Sequence, residues 1–352
     1  MRRALPAVPA ALLLLACLGP ALAGPALPAT AEDRGLRIFW VDVEGGAATL
    51  LVTPAGESVL VDTGWADPRD AERIHRVATE VAGLEGIDHL VTTHWHRDHF
   101  GGVAELSGRL RIGRFYDHGF PEGAPRDIPP ELKQEYLRVT GGRSTVLRPG
   151  DTLPLRQASG PPLAARVVAS HGVVEGEEAG APQVRACADH AAGPEDESDN
   201  HRSVGLLVTY GEFDFLDLGD LTWNVEHKLV CPRNRLGAVD VYQVTHHGLD
   251  NSNNSELVRA VRPVVAVVNN GPRKGGKAAV YRTLMETPGL EAVFQVHRNV
   301  ETTAEDNAPP AHVANDDEQC RGHWIRLAVD PGAKRYTVAI PGKGTERSFA
   351  VR

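Results

Sequence analysis

The chain predicts an α/β fold in which two mixed sheets pack face to face with helices outside, a four-layer αββα sandwich within one domain. Three observations carry this. Short β-branched runs alternate with helical spacings, and that succession of strands and helices occurs once in each half of the sequence. The composition, 42% hydrophobic and 24% charged in 352 residues with 36 Gly and 25 Pro, fits a globular protein and excludes a disordered, collagen-like or coiled-coil chain.

The N-terminal segment, residues 1–23, reads as an export signal. Arg2 and Arg3 precede an apolar stretch around Leu12 to Leu15, and Ala21-Leu22-Ala23 is a small-x-small cleavage site before Gly24. Pro6, Pro9 and the modest length argue against a membrane span. A lipoprotein is the competing reading, because Leu14-Leu15-Ala16-Cys17 sets a cysteine behind small and apolar residues, but bulky Leu15 weighs against it. The expected location is therefore periplasmic or extracellular.

In the domain that follows, residues 24–352, the runs Leu36–Val43, Ala48–Thr53 and Ser58–Asp62 are expected strands, punctuated by Gly45-Gly46 and Pro54-Ala55-Gly56. Asp67 to Val81 carries Ile74, Val77, Ala78 and Val81 at helical spacing, with Asp67 as N-cap and Pro68 at the first helical position. Ile87–Thr93 is the next strand, and Pro121 to Pro130 an irregular insertion. In the second half Ser203–Tyr210, Glu212–Leu218, Val239–Thr245 and Pro263–Val268 read as strands, and Thr222–Val230, Asn254–Arg262 and Lys277–Glu286 as helices. Glu175–Asn200, rich in Gly, Glu, Asp and Ala, is expected to be a long surface loop. Residues 321–352 are expected to form a terminal hairpin across Asp330-Pro331-Gly332.

The 37 basic and 46 acidic residues leave a net charge of −9, which argues against bulk nucleic-acid binding. After signal cleavage Cys187, Cys231 and Cys320 remain, enough for one disulfide and one leftover thiol. None lies in a CxxC or CxH spacing, which argues against metal ligation by cysteine.

The strongest chemical signal is His94-Trp95-His96-Arg97-Asp98-His99 at the end of a strand, followed by Phe100-Gly101-Gly102. Histidines two apart on extended chain point to one side, so His94 and His96 can face one cation. As the chain turns into a helix, Asp98 and His99 can face a second. Imidazole and carboxylate donors suit two zinc ions, and manganese or iron also fit this donor set.

This hexapeptide resembles that of the metallo-β-lactamase superfamily, which implies the αββα fold and a hydrolase. Asp62 in Leu60-Val61-Asp62-Thr63-Gly64 resembles the family aspartate that orients the histidine loop from behind. Asp220, ending the strand at Leu218-Gly219-Asp220, resembles the metal-bridging aspartate. His246-His247-Gly248 resembles the last histidine motif, with His247 favoured as ligand and His246 as a neighbour facing substrate. The third histidine motif departs from the family, since Ser198-Asp199-Asn200-His201-Arg202-Ser203 stands where it belongs. Asp199 is favoured there as ligand over His201. Asn200-x-x-Ser203 and the opening Trp40-Val41-Asp42-Val43-Glu44-Gly45-Gly46 resemble the subgroup of DNA-uptake channel lactamase-like domains and secreted phosphorylcholine esterases.

The resemblance implies that paired cations hold a bridging hydroxide, lowering the pKa of bound water toward about 7, and that it attacks a phosphoester or phosphodiester. Asp98 and His246 are the candidate catalytic groups, the latter as proton donor to the leaving group. Gly271 to Lys277 matches GxxxxGK, but Ala278 stands where magnesium binding needs Ser or Thr. Asn269, Asn270, Arg273 and Lys274 instead suggest a polar, basic rim for an anionic ester. A β-lactamase or other amide or thioester hydrolase, and a non-catalytic metal-binding protein, are the competing functions.

Overall fold

A computed structural model of the protein describes residue 1 and residues 34–122, 127–176, 187 and 191–352. The export segment with Cys17 therefore lies outside the described residues, as do residues 123–126 of the Pro121–Pro130 insertion and residues 177–186 and 188–190 of the Glu175–Asn200 loop.

The first half runs β1 (Arg37–Trp40), β2 (Thr49–Val52), β3 (Ser58–Val61), α1 (Pro68–Arg76), β4 (Gly86–Val91), α2 (Arg97–Phe100), α3 (Val103–Ser107), β5 (Arg111–Asp117), α4 (Pro130–Thr140) and β6 (Thr145–Val146). The second runs β7 (Leu163–Ser170), β8 (Val173–Val174), β9 (Gly205–Tyr210), β10 (Phe213–Asp217), α5 (Trp223–Val230), β11 (Val241–Gln243), α6 (Ser255–Val261), β12 (Val265–Val268), α7 (Ala278–Met285), β13 (Ala292–His297) and β14 (Val313–Asn315). Strands β15 (Ile325–Val329), β16 (Arg335–Ile340) and β17 (Thr345–Ala350) end the chain.

These strands form a sheet of order β17-β16-β15-β1-β2-β3-β4-β5-β6 and a second of order β14-β13-β12-β11-β10-β9-β7-β8. Both are mixed: β3 to β6 and β10 to β14 run parallel, while the remaining pairs are antiparallel.

Three apolar layers explain the stacking. Alternate residues of one strand enter different layers: Val265 and Val267 face the core between the sheets, with Trp40, Val91, Phe215 and Phe294, whereas Ala266 and Val268 face the helices with Leu229, Val258 and Leu284. On the far side Leu60, Ile87 and Leu90 meet Ile74 of α1, Leu106 of α3 and Tyr136 of α4. Burial on both faces is why the central strands read as unbroken apolar runs. A polar latch joins the sheets, Gln243 Oε1 accepting from Trp40 Nε1 at 2.7 Å and Thr49 Oγ1 at 2.8 Å.

Several expected elements form with shortened ends. Asp67 caps α1 by accepting from Arg69 N, and Asn254 caps α6 through Glu256 N. The terminal hairpin is larger than expected: β17 adds a third strand, and β15 pairs with β1, so the C-terminus completes the sheet of the first half. Cys187 and Cys231 form the disulfide, leaving Cys320 as the free thiol among the described residues. No helix among the described residues is long and apolar enough to cross a membrane.

Candidate metal centre

The site lies at the carboxyl ends of β3, β4, β10, β11 and β12, where loops from the two sheets meet. Val204 N donates to Thr93 O and His246 N to Gly219 O, tying these loops to one another. His246 and His247 both hold positive φ, 54° and 53°, an uncommon conformation for residues with a Cβ. Their neighbours hold it in place: Gly276 N donates to His247 O, and a Cβ on Gly275, itself at φ +77°, would sit 2.1 Å from that oxygen. The glycines of the GxxxxGK match thus make room for the histidine turn.

Asp98, His99, Asp220 and His247 form a buried group whose ligand atoms all lie within 4.8 Å of one another. Asp220 Oδ2 stands 3.2 Å from His99 Nε2, 3.3 Å from His246 Nε2, 3.5 Å from His247 Nε2 and 3.8 Å from His94 Nε2. Asp98 Oδ2 lies 3.3 Å from His99 Nε2 and 3.2 Å from His247 Nε2, and also receives the Lys274 ammonium.

The hydrogen bonds behind the rings decide what those Nε2 atoms present. Asp62 Oδ2 accepts from His99 Nδ1 at 2.6 Å, and Asn269 O from His247 Nδ1 at 3.2 Å. Thr93 Oγ1 donates to Asp62 and Ser252 Oγ to Leu221 O, so these hydroxyls accept from His94 Nδ1 and His246 Nδ1, each at 3.1 Å. With Nδ1 as the donor in all four rings, each Nε2 is the atom left to face carboxylate oxygen, and it offers a lone pair wherever the ring is neutral. His99 Nε2 and His247 Nε2 face each other at 3.1 Å, and His94 Nε2 is buried without a partner. Lone pairs crowded against carboxylates repel, and a cation between them removes the repulsion; the donor set fits zinc or iron.

Protonation follows the same pattern. Burial pushes His94 well below its ordinary pKa, helped by His99 and His96, and lowers His246 to about 4 against the pull of Asp220. Burial alone would raise Asp98 and Asp220, yet His99 and Lys274 beside the first, and His246 and His99 beside the second, hold both well below the usual carboxylate range. Burial also opposes charge on His99, but Asp220, Asp62 and Asp98 raise it well above its ordinary value. The centre draws in positive charge.

Asp62 sits behind the histidine loop, where it accepts from Thr93 N at 2.8 Å as well as from Thr93 Oγ1 and His99. His96 is turned outward, its Nε2 2.7 Å from Asp127 Oδ2, although its ring stays 4.6 Å from His94. The third-motif residues differ from expectation. Asp199 is committed to Trp95 N at 2.8 Å and His118 Nε2 at 3.0 Å, and so braces the histidine loop instead of joining the buried group. His201 packs its ring against Gly172, away from that group. His246, expected to face substrate, is buried with its Nδ1 on Ser252 and its Nε2 toward Asp220.

The rim loop also divides. Lys274 reaches Asp98, and Asn269 supports His247 through its carbonyl. Asn270 is buried and spends its amide on Gly271 O and His297 O, so it builds the loop. Arg273 points outward to Glu301 at 3.5 Å and Glu318 at 2.5 Å. Asp127, His118 and Ser252 went unrecognised in the sequence, because a lone Asp, His or Ser in a loop carries no local signal of its distant partner.

Residues 41–161 match the model of the metallo-beta-lactamase superfamily. That match spans about a third of the chain and takes in β2 to β6 and the histidine loop, so this part of the chain is similar to that superfamily. It is similar to the lactamase-like protein notP of Aspergillus sp. (strain MF297-2), 41% identical over 17% of this chain and 18% of that protein. It is also similar to the atrochrysone carboxyl ACP thioesterase dmxR1 of Cryptosporiopsis sp. (strain 8999), 38% identical over 27% of this chain and 29% of that one. The chain thus spans less than a third of either relative. Among solved structures, the subclass B3 metallo-beta-lactamase MEM-A1 from a soil metagenome shares 12% identity at a TM-score of 0.33, over 75% of this chain and 77% of that one.

Proposed function

We propose that the protein is an exported hydrolase of phosphoesters or phosphodiesters that works with two divalent ions. The observation that carries this is the convergence of four imidazole lone pairs on the carboxylates of Asp98 and Asp220, with the Lys274 ammonium at the same place. Divalent ions held there supply Lewis acidity and a water activated at neutral pH. His94, His99, His246 and His247 would hold them through Nε2, His99 giving up a proton as an ion enters, and Asp98 and Asp220 would supply the negative charge, too little to cancel two divalent cations. With Lys274 added, the mouth favours an anionic ester over a neutral one. The Asn200-x-x-Ser203 turn and the opening Trp40 to Gly46 segment support the phosphodiesterase-like subgroup. The apolar stretch behind Arg2 and Arg3, and the Cys187–Cys231 disulfide, support export.

A second reading, thioester hydrolysis, is favoured by the name of the thioesterase relative. One panel separates the two: chromogenic phosphomonoesters and phosphodiesters, a thioester and nitrocefin, each with zinc or manganese and with chelator. Phosphodiester turnover that chelator and Asp220→Asn both abolish is the expected result. Turnover of the thioester or nitrocefin alone, or turnover indifferent to chelator, overturns the proposal.

A further inference from the structure

On the opposite side of the rim loop, three chain segments bring together Asp42 after β1, His297 at the end of β13 and Cys320 between β14 and β15. Their ligand atoms all lie within 4.8 Å of one another. Asp42 and His297 are fully buried, and Cys320 is half-buried. His297 Nε2 donates to Asp42 Oδ1 at 2.7 Å, Cys320 Sγ donates to Asp42 Oδ2 at 3.0 Å, and Sγ lies 4.0 Å from Nε2.

We propose that Asp42, His297 and Cys320 form a second, cysteine-containing zinc site, separate from the hydrolytic centre. A tetrahedral zinc places such donors roughly 3.2–3.6 Å apart, and the observed separations bracket that range, so small side-chain shifts admit the ion. The half-buried thiol leaves the fourth position open to water. Arg73 Nη1 lies 2.8 Å from Asp42 Oδ2, and its charge is the main objection. Both the Sγ–H and the Nε2–H hydrogens point at Asp42, however, and zinc would replace these two protons. Two protons leave and one divalent ion enters, so Arg73 faces the same net charge as before. The two released protons go to solvent, and no redox partner is needed. The site would brace the rim loop, since Asn270 Nδ2 donates to His297 O at 2.8 Å and Asn269 O holds His247. Cysteine spacing along the chain argued against metal ligation, but donors gathered from three distant segments leave no spacing to read.

Cobalt substitution tests this without relying on turnover, because the hydrolytic cluster has no cysteine among its described members. Cobalt(II) added to the intact protein under non-reducing conditions, with the Cys187–Cys231 disulfide closed, should give a thiolate-to-cobalt charge-transfer band in the near ultraviolet. Cys320→Ser should abolish the band and lower bound metal by one equivalent per chain. No band in the wild type, or a band that survives in Cys320→Ser, overturns the site. Should Cys320→Ser fail to fold, alkylation of Cys320 in the wild type decides. Zinc is expected to slow it at least tenfold while magnesium does not, and a rate indifferent to zinc overturns the site.

Discussion

Each imidazole at the candidate metal centre owes its tautomer to a particular acceptor, and those acceptors were unequally visible in the sequence. His94, His96, Asp98 and His99 announce themselves as a scarce residue repeated at a strand end, and Asp62, Asp220 and His247 each end a strand beside a glycine or Thr-Gly turn. Ser252 and Asp127 carry no such mark, because a hydroxyl or carboxylate becomes informative only once the fold brings its partner within reach. Asp62 is the most consequential of the residues behind the rings: it accepts from His99 Nδ1, Thr93 N and Thr93 Oγ1, and Thr93 in turn fixes His94. Asp62→Ala should free both ring orientations and lower metal affinity by roughly 10–100-fold. Competition against a chromophoric chelator measures this, and unchanged affinity would remove Asp62 from the role.

At the scale of elements, most strands buried on both faces were legible as apolar runs, but the wholly buried β13 and the mostly buried β7 were not read, nor were several elements with one wet face. Strand β5 is largely exposed along its first half and β17 is an edge of alternating exposed residues, so neither offers a run; α4 buries Leu132, Tyr136 and Thr140, with Val139 partly buried beside them. Helix α5 was legible, but one of its contacts was not. Its Glu226 is fully buried and accepts from Asn254 N, the cap of α6, at 2.8 Å, and burial raises its pKa to about 7 despite that bond. An acid whose folded pKa lies above its unfolded value stabilises the fold in its protonated form. Its contribution is complete below about pH 4.5 and is lost as pH rises through 7, roughly 3 kcal/mol in all. Glu226→Gln, which keeps an acceptor for Asn254 N and cannot ionise, should match the wild type in thermal midpoint at pH 4.5 and exceed it by several degrees at pH 8. Parallel pH profiles for the two proteins would show that Glu226 does not titrate in this range.

Across the whole molecule, the centre is a joint between two sheets: His94, Asp98 and His99 follow β4 of one, and Asp220, His246 and His247 follow β10 and β11 of the other. The motif order placed ligands in both halves, and the apolar layer between the sheets explains why neither half presents the site alone. Cations bound there would cross-link the sheets and stabilise only the assembled state. Metal at 100 times its dissociation constant adds about 2.7 kcal/mol, which for a chain of this size raises the thermal midpoint by roughly 3–5 °C. Chelator should reverse the rise, and Asp220→Asn, whose carboxylate faces all four rings, should reduce it most. The shape of the transition carries the structural content. If the sheets unfold as one body, metal moves a single transition intact; if the melt separates into two steps of which metal shifts only one, the halves are independent and the centre belongs to one of them. Calorimetry of the metal-loaded and chelated protein distinguishes these outcomes, and the shared core that joins Trp40 and Val91 to Phe215 and Val267 argues for the single step.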